Sequence, residues 1–325
     1  NRRTRKNPLL TVLRNAILIR IVILLVGIGA QYVVEPYDQS NVQLPTNFKN
    51  QLSANIYHAI KGFKSWDAVY FVEIAQRGYN YENIHAFFPM LPILMHVLTK
   101  ITQPLCPFLD QEVLTILMGI LISNISFLCS IIVIYKLTFV ITKSETFSKT
   151  TAEVMSLSPA GIFLSVPYTE SLFAFFALSG MYLWENHSIY GTALFFSLAV
   201  ATRGNGVVLG GFFIYGFLKN GGHHLSSFFS TVLFPLCIMA FPYLSFQYLG
   251  YLYYCTPEYN LFLSTFSRSN DISNFYSEYH PWCLNRFPNI YSYVQATYWN
   301  NGLFNYWTLQ QLPNFVLASP IIFIV

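Results

Sequence analysis

Lys64-Ser65-Trp66-Asp67-Ala68-Val69-Tyr70 puts a carboxylate just after the first long apolar run of a chain that carries few charges. Of its 325 residues 10% are charged and 54% hydrophobic. Charges kept in so apolar a chain are as a rule functional or interfacial. Asp67 has two readings on its residues alone. It complements the positive end of a helix that starts there, or it takes a proton from a group that reacts at the membrane surface. Thr202-Arg203-Gly204-Asn205-Gly206 sets a cation beside two glycines at the end of an apolar run. The glycines leave nearby backbone N–H groups open, and such a turn suits an anion, above all a phosphate, at Arg203, Gly204 and Asn205. The plainer reading of Arg203 is a side chain that snorkels to lipid headgroups. Pro167-Tyr168-Thr169-Glu170-Ser171 puts a second acid at a hairpin tip, as a substrate contact or as a helix N-terminal device.

The elements that position these groups are helices. A soluble domain of this length carries roughly 25% charged residues. The long apolar runs instead describe an all-α polytopic membrane protein, without the alternation of a closed β-barrel. The formal charge of +4 reads as cytosolic-side Lys and Arg, not as a nucleic-acid surface. Arg2-Arg3-Thr4-Arg5-Lys6 places the N-terminus on the cytosolic side, ahead of a signal-anchor span over about 13–34 with Arg14 and Arg20 near its cytosolic end. A first luminal loop, 35–112, then holds the Asp67 helix and a short apolar piece, Ala86 to Leu98, with two prolines. That piece is too short to cross, since a span needs about 20 apolar residues. It is expected to lie at the interface. The span 113–135 then brings Lys136, Lys143 and Lys149 to the cytosol. Hairpins follow: 152–166 out and 171–184 back, 190–201 out and 207–218 back, 228–248 out. A large luminal loop, 251–310, precedes re-entry near Phe315. The whole of 1–325 is expected to form one transmembrane domain. The chain's apolar last residues suggest that further C-terminal spans are missing.

In the Asp67 helix Gly78 suits the residue after the C-terminus and Ser65 the N-cap. At about 100° per residue Asp67 shares a face with Phe71, Ile74 and Gly78. Trp66, Tyr70, Glu73 and Arg77 form the neighbouring stripe, where Glu73 and Arg77 also read as a simple i,i+4 pair. The five cysteines have no metal-ligand spacing. A disulfide among Cys106, Cys255 and Cys283 is chemically open, Cys255 with Cys283 being one pairing. His223-His224 has no ligand partners in sequence. No zinc, P-loop or nucleophile-elbow motif occurs, and no metal site is expected.

Ser65-Trp66-Asp67-Ala68 with Gly78-Tyr79, Ala86-Phe87-Phe88-Pro89, Ser158-Pro159-Ala160, Pro167-Tyr168-Thr169-Glu170-Ser171, Ala201-Thr202-Arg203-Gly204-Asn205-Gly206, Pro281-Trp282-Cys283 and Tyr298-Trp299-Asn300 with Gln311-Leu312-Pro313-Asn314-Phe315 together resemble the PIG-V family. These matches run in order over almost the whole chain. The resemblance implies a GT-C glycosyltransferase of the endoplasmic reticulum membrane, multi-pass, with luminal juxtamembrane helices and a luminal active site. It implies transfer of a second mannose, α-1,6-linked, from dolichyl-phosphate mannose to the glycosylphosphatidylinositol (GPI) precursor. It selects the base reading for the acid after span 1, which here is Asp67. Phosphate is a good leaving group, so one carboxylate and one cation suffice, unlike the two carboxylates of a glycosidase. Asp67 is the expected base and Arg203, with Gly204 and Asn205, the expected phosphate contact. Trp66, Tyr70, Arg77, Tyr168, Glu170 and Trp282 are expected along the substrates. No prosthetic group or metal is expected, and the partners implied are the two lipid substrates and the membrane itself. The rivals are a transporter or scramblase, a non-catalytic scaffold, and a GT-C mannosyltransferase with another acceptor.

Overall fold

A computed structural model of the chain describes residues 7–34, 47–219, 221, 224–256, 280–302 and 304–324. The expected loops at 35–112 and 251–310 therefore lie partly outside the described residues, as does His223. All regular structure among the described residues is helical. The helices are α1 Pro8–Val33, α2 Gln51–Ile60, α3 Asp67–Arg77, α4 Met90–Thr102, α5 Gln111–Thr142, α6 Glu145–Ser156, α7 Glu170–Glu185, α8 Ile189–Thr202 and α9 Gly211–Lys219. Then come α10 Leu225–Cys255, with a π-turn at Phe229–Leu233, and α11 Ile290–Thr297 and α12 Leu312–Ile324. Helices α1, α5 and α10 are long and apolar enough to cross a membrane, as expected of a polytopic helical membrane protein. The described residues divide into two compact units. One holds the chain up to Asn80 with Phe87–Ser245; the other holds Tyr81–Ala86 with the chain from Phe246 onward.

In the first unit α5 is the central element and packs against α1, α4, α6 and α7. Apolar burial cannot hold helices together against lipid tails, so close approach of small residues matters more. Gly119, Ser123, Ser126 and Ser130 recur at three- and four-residue spacing on α5 and are buried or half-buried. A Cβ on Gly119 would stand 2.7 Å from the Pro167 Cβ, so this stripe lets another chain segment come close. On the α1 side Val12 and Ala16 pack with Phe127, Ile131 and Ala152.

One expected span is not a continuous helix. The 152–166 segment ends its helix at Ser156, and 157–169 has no regular helix. Ser158-Pro159-Ala160-Gly161 supplies the reason: proline removes a donor and clashes with the preceding turn, and glycine adds freedom. Irregular backbone survives beside membrane helices only where protein satisfies its polar groups. Here the donors come from three helices. Ser123 Oγ donates to Val166 O at 2.6 Å, Asn124 Nδ2 to Ser165 O at 2.9 Å and Ser171 Oγ to Leu164 O at 2.7 Å. Arg20 serves the rest of the segment. It is 3% exposed, in the middle of α1, and not at the cytosolic end where charge counting puts it. Helix α4 starts at Met90, later than the expected 86, because Pro89 and Pro92 fit only the first turn. Helix α10 continues to Cys255, beyond the expected 248.

The second unit is organised around Glu82. Its Oε1 accepts from His280 Nδ1 at 2.7 Å and from Trp282 Nε1 at 2.6 Å, and its Oε2 from Tyr298 OH at 2.7 Å. Cys255 and Cys283 are joined by a disulfide, with Cα atoms 5.6 Å apart. Tyr254, Trp282, Ile290 and Val294 form the apolar cluster next to it. Trp282, expected to touch substrate, is wholly buried here with its N–H on Glu82. It is a core residue, because an indole N–H can enter a core only with an acceptor waiting for it. Glu82→Ala is expected to lower the stability of this unit by about 1–3 kcal/mol for each buried donor left without an acceptor. Limited proteolysis of the purified variant reads this directly, and wild-type resistance around 280–298 would show that Glu82 does not hold the unit together.

Candidate functional site

The start of α3 is held by three contacts. Lys64 Nζ pairs with Glu112 Oε1 at 2.6 Å, at the N-terminus of α5. Ser65 Oγ donates to Gly62 O at 2.9 Å, so Ser65 does not cap α3 as expected. Tyr168 OH donates to Ser65 O at 3.0 Å and accepts from the Asp67 backbone N–H. With Ser65 occupied, Trp66 becomes the N-cap, at φ 55° and with no side-chain cap. That left-handed conformation is strained for a tryptophan, and such strain gathers at functional sites. The Trp66 ring is 75% exposed. At the other end Gly78 closes α3 at φ 78°, its N–H on Ile74 O at 2.9 Å. Glycine suits this position, as expected.

The buried face of α3 is Ala68, Phe71, Val72, Ile74 and Ala75. Asp67 shares the side of α3 that carries Phe71 and Ile74, as helical phase indicates, but those two are buried and Asp67 is not. It sits at the rim of that face, solvent-accessible, in the first turn. Packing against α4 and α5 buries the adjacent 68–72–75 row together with Phe71 and Ile74.

Arg203 ends α8 in an extended conformation. Its Nη1 donates to Thr169 Oγ1 at 3.0 Å and to Glu170 Oε1. Both side chains of this ion pair are more than one-third exposed, so the pair adds little to stability by itself. Its value lies in orientation: Nη1 is the only guanidinium nitrogen of Arg203 with a partner among the described residues, which leaves the Nε–Nη2 edge open. Gly204 and Asn205 begin the 3-10 turn Gly204–Gly210, where the first amides have no carbonyl behind them in the turn. The Gly206 N–H is taken by Arg203 O at 2.9 Å. Gly206 is needed for space: a Cβ there would lie 2.8 Å from Val200 N and 2.9 Å from Val200 Cα, which are backbone atoms. Gly206→Ala is expected to cost about 1–3 kcal/mol of stability through overpacking and to shift Arg203. Thermal melting of the purified variant measures the first effect, and an unchanged Tm would show that the turn has room to move.

Asp67, Glu170 and Arg203 lie within electrostatic reach of one another, though they come from three distant segments. Desolvation raises the Asp67 carboxyl above its usual range, the Glu170 charge raises it further, and Arg203 pulls it back down. Asp67 remains exposed to solvent in the first turn of α3. Burial, with the Asp67 and Glu170 charges adding to it, also pushes the Tyr168 phenol up, so Tyr168 stays neutral.

The other expected site residues divide. Tyr70 stacks on Phe87 with ring centroids 4.6 Å apart and feels the Asp67 charge. Tyr168 is 7% exposed and tied to Ser65, so it holds the loop and offers little to a substrate. Arg77 is outside the constellation, at the far end of α3, exposed and paired with Glu73 at 3.3 Å. Thr169, which the sequence reading passed over as a side-chain partner, orients Arg203. Its neighbour Glu170 was the available signal. Among the described residues no group of three or more His, Cys, Asp or Glu side chains is placed to hold a metal ion.

The family model Mannosyltransferase (PIG-V) matches residues 9–325. The chain is 30% identical over 296 residues to GPI alpha-1,6-mannosyltransferase 2 of Homo sapiens, covering 86% of this chain and 59% of that protein. It is 31% identical over 280 residues to the Rattus norvegicus protein of the same name, covering 81% and 56%. It is 33% identical over 298 residues to GPI mannosyltransferase 2 of Chaetomium globosum, covering 80% and 61%. The chain thus spans between about half and three fifths of the length of these relatives. No solved structure matches it. With the family's pattern running from the first helix to the last, the chain belongs to the PIG-V mannosyltransferase family.

Proposed function

We propose that the protein transfers mannose from dolichyl-phosphate mannose to the first mannose of the GPI precursor, forming an α-1,6 bond with inversion. The observation that carries this reading is the meeting of Asp67, Glu170 and Arg203 in one unit. Asp67 takes the proton of the acceptor hydroxyl as that oxygen attacks the anomeric carbon. The bond from that carbon to the phosphate oxygen breaks, and dolichyl phosphate leaves with the electron pair. Its added charge meets the open edge of Arg203, helped by the amides of Gly204 and Asn205. The raised proton affinity of Asp67 suits a base, because a stronger conjugate base drives the transfer better. Trp66 and Tyr70 flank Asp67 as surfaces for the sugars. No metal is needed in this scheme. The bundle is read as GT-C in type.

The same reading places the site on the luminal side of the endoplasmic reticulum membrane. Lys136, Lys143 and Lys149 support it through the positive-inside rule. The Cys255–Cys283 disulfide supports it too, because such bonds persist in oxidising compartments. A transporter would use charges at mid-span. Arg20 is one, but its hydrogen bonds all go to residues 156–165 and none to a path for solute.

The test is to express the protein in full in cells that lack second-mannose transfer and to analyse their GPI lipids by mass spectrometry. Conversion of the one-mannose precursor to the two-mannose form supports the reading. A well-expressed protein that leaves the precursor unchanged refutes the acceptor assignment.

A further inference from the structure

Arg20 is a buried cation in a membrane-spanning helix, and among the described residues no carboxylate pairs with it. Its Nη1 donates to Gly161 O at 2.9 Å and to Ser165 Oγ at 3.2 Å, and its Nη2 to Ser156 O at 3.4 Å. The guanidinium lies 4.1 Å from the Phe127 ring centroid. The two Nη1 bonds end on the irregular stretch between α6 and α7, and the Nη2 bond ends on the last residue of α6, where that stretch begins. The neighbouring face of α1 follows the same stretch: a Cβ on Gly161 would meet Ile23 Cδ1 at 2.7 Å, and one on Gly27 would meet Ile162 Cδ1 at 3.3 Å.

From Ser165 the polar contacts run on without a gap. Asn124 holds Ser165 O, Ser123 holds Val166 O, and the Tyr168 N–H donates to Val166 O at 2.6 Å. Tyr168 then holds Ser65 O and the Asp67 amide, and two residues further on Glu170 meets Arg203. We propose that Arg20 is a positioning residue, which sets the 157–169 segment so that Tyr168 and Glu170 hold Asp67 and Arg203 in working register. It acts through that segment and touches no substrate. The proposal rests on the transferase reading above.

Arg is better suited to this than Lys. A planar guanidinium can bridge two carbonyls and a hydroxyl at fixed angles, whereas an ammonium is a point donor on a flexible stem. Arg20→Met keeps the length and the apolar packing and removes the donors. The purified full protein should then fold, as shown by a monodisperse profile and a melting curve. Its kcat should fall at least tenfold per folded molecule, with the KM for dolichyl-phosphate mannose changed less than threefold. Arg20→Lys should recover part of the rate. Hydrogen exchange at the amides of 160–170 and 65–68 should speed up in Arg20→Met, a readout that does not need activity. A folded Arg20→Met protein with wild-type kcat and wild-type exchange overturns the proposal. If Arg20→Met does not accumulate, Ser123→Ala and Ser165→Ala cut the same line further along. A lower kcat at normal abundance then supports the proposal, and a normal kcat in both overturns it. If the wild type itself transfers no mannose, the transferase reading fails, and the exchange comparison still decides whether Arg20 sets the segment.

Discussion

Asp67→Asn is expected to lower mannosyl transfer by about 10²–10⁴-fold, the usual contribution of a positioned general base, while the protein stays folded. Asparagine keeps the shape and the place in the first turn of α3 and loses the ability to take a proton. The stability side has the opposite sign to the activity side. The Asp67 carboxyl is raised in the folded chain, by desolvation first and then by Glu170. As pH rises past the ordinary carboxylate range, the unfolded chain gives up this proton before the folded one does. The folded state then binds more protons, so this group's contribution to stability falls with rising pH. At neutral pH the neutral Asn variant should therefore melt no lower than wild type. Activity has the reverse profile, since the base works only when ionised. It should fall as pH drops through the raised Asp67 pKa. Glu170→Gln should move that acid limb to lower pH, because it removes a charge that raises Asp67. Rates per folded molecule, measured across pH, check all three statements. Normal transfer by Asp67→Asn would remove Asp67 from the reaction.

Arg203→Met is expected to lower kcat/KM for dolichyl-phosphate mannose by roughly 10²–10³-fold, in line with removal of one donor from a developing oxyanion. Arg203→Lys should recover little of this, because the Nη1 contacts to Thr169 and Glu170 and the free edge depend on a planar fork. Removing the cation also leaves Asp67 and Glu170 facing each other without it, so the acid limb should shift to higher pH. The combined Arg203→Met, Glu170→Gln variant should bring that limb back towards wild type without restoring the rate. The two shifts in the acid limb have opposite signs and offset each other, while the loss of rate is set by Arg203 alone. Wild-type donor kinetics in Arg203→Met would take phosphate recognition away from this turn.

Much of the helical layout was legible from apolar runs alone. So was the closure of α3 at Gly78, because a helix end asks for a residue tolerant of positive φ. Counting charges across the spans also put the Asp67, Glu170 and Arg203 segments on one side, and those three groups do lie near one another. The 157–169 segment was not legible as irregular. Hydropathy records the apolar side chains of Ile162, Phe163 and Leu164 and is blind to what satisfies the backbone between them. Apart from Ser171, those partners stand 41 to 141 residues away along the chain. Arg20 was misplaced for the same reason, since distance from a basic tail says nothing of a buried acceptor. Trp282 looked like an exposed sugar platform because it lies in a polar loop, while its acceptor Glu82 is 200 residues upstream. Arg77 was read into the site from its stripe on α3, but helical rise carries it away from Asp67 by about 15 Å.

The second unit draws on residues separated by most of the chain, and this gives its assembly a schedule. Tyr298 is 216 residues beyond Glu82. At ribosomal speeds of about 5–20 residues per second, Glu82 waits on the order of 10–40 seconds for its last donor. All of α4 to α10 is synthesised in that interval, and Cys255 emerges before Cys283. A membrane-bound nascent chain thus carries an acid without its partners for tens of seconds, and within that interval a thiol without its mate for the few seconds that separate Cys255 from Cys283. That is the window in which a chaperone or a disulfide-exchange enzyme has most to act on.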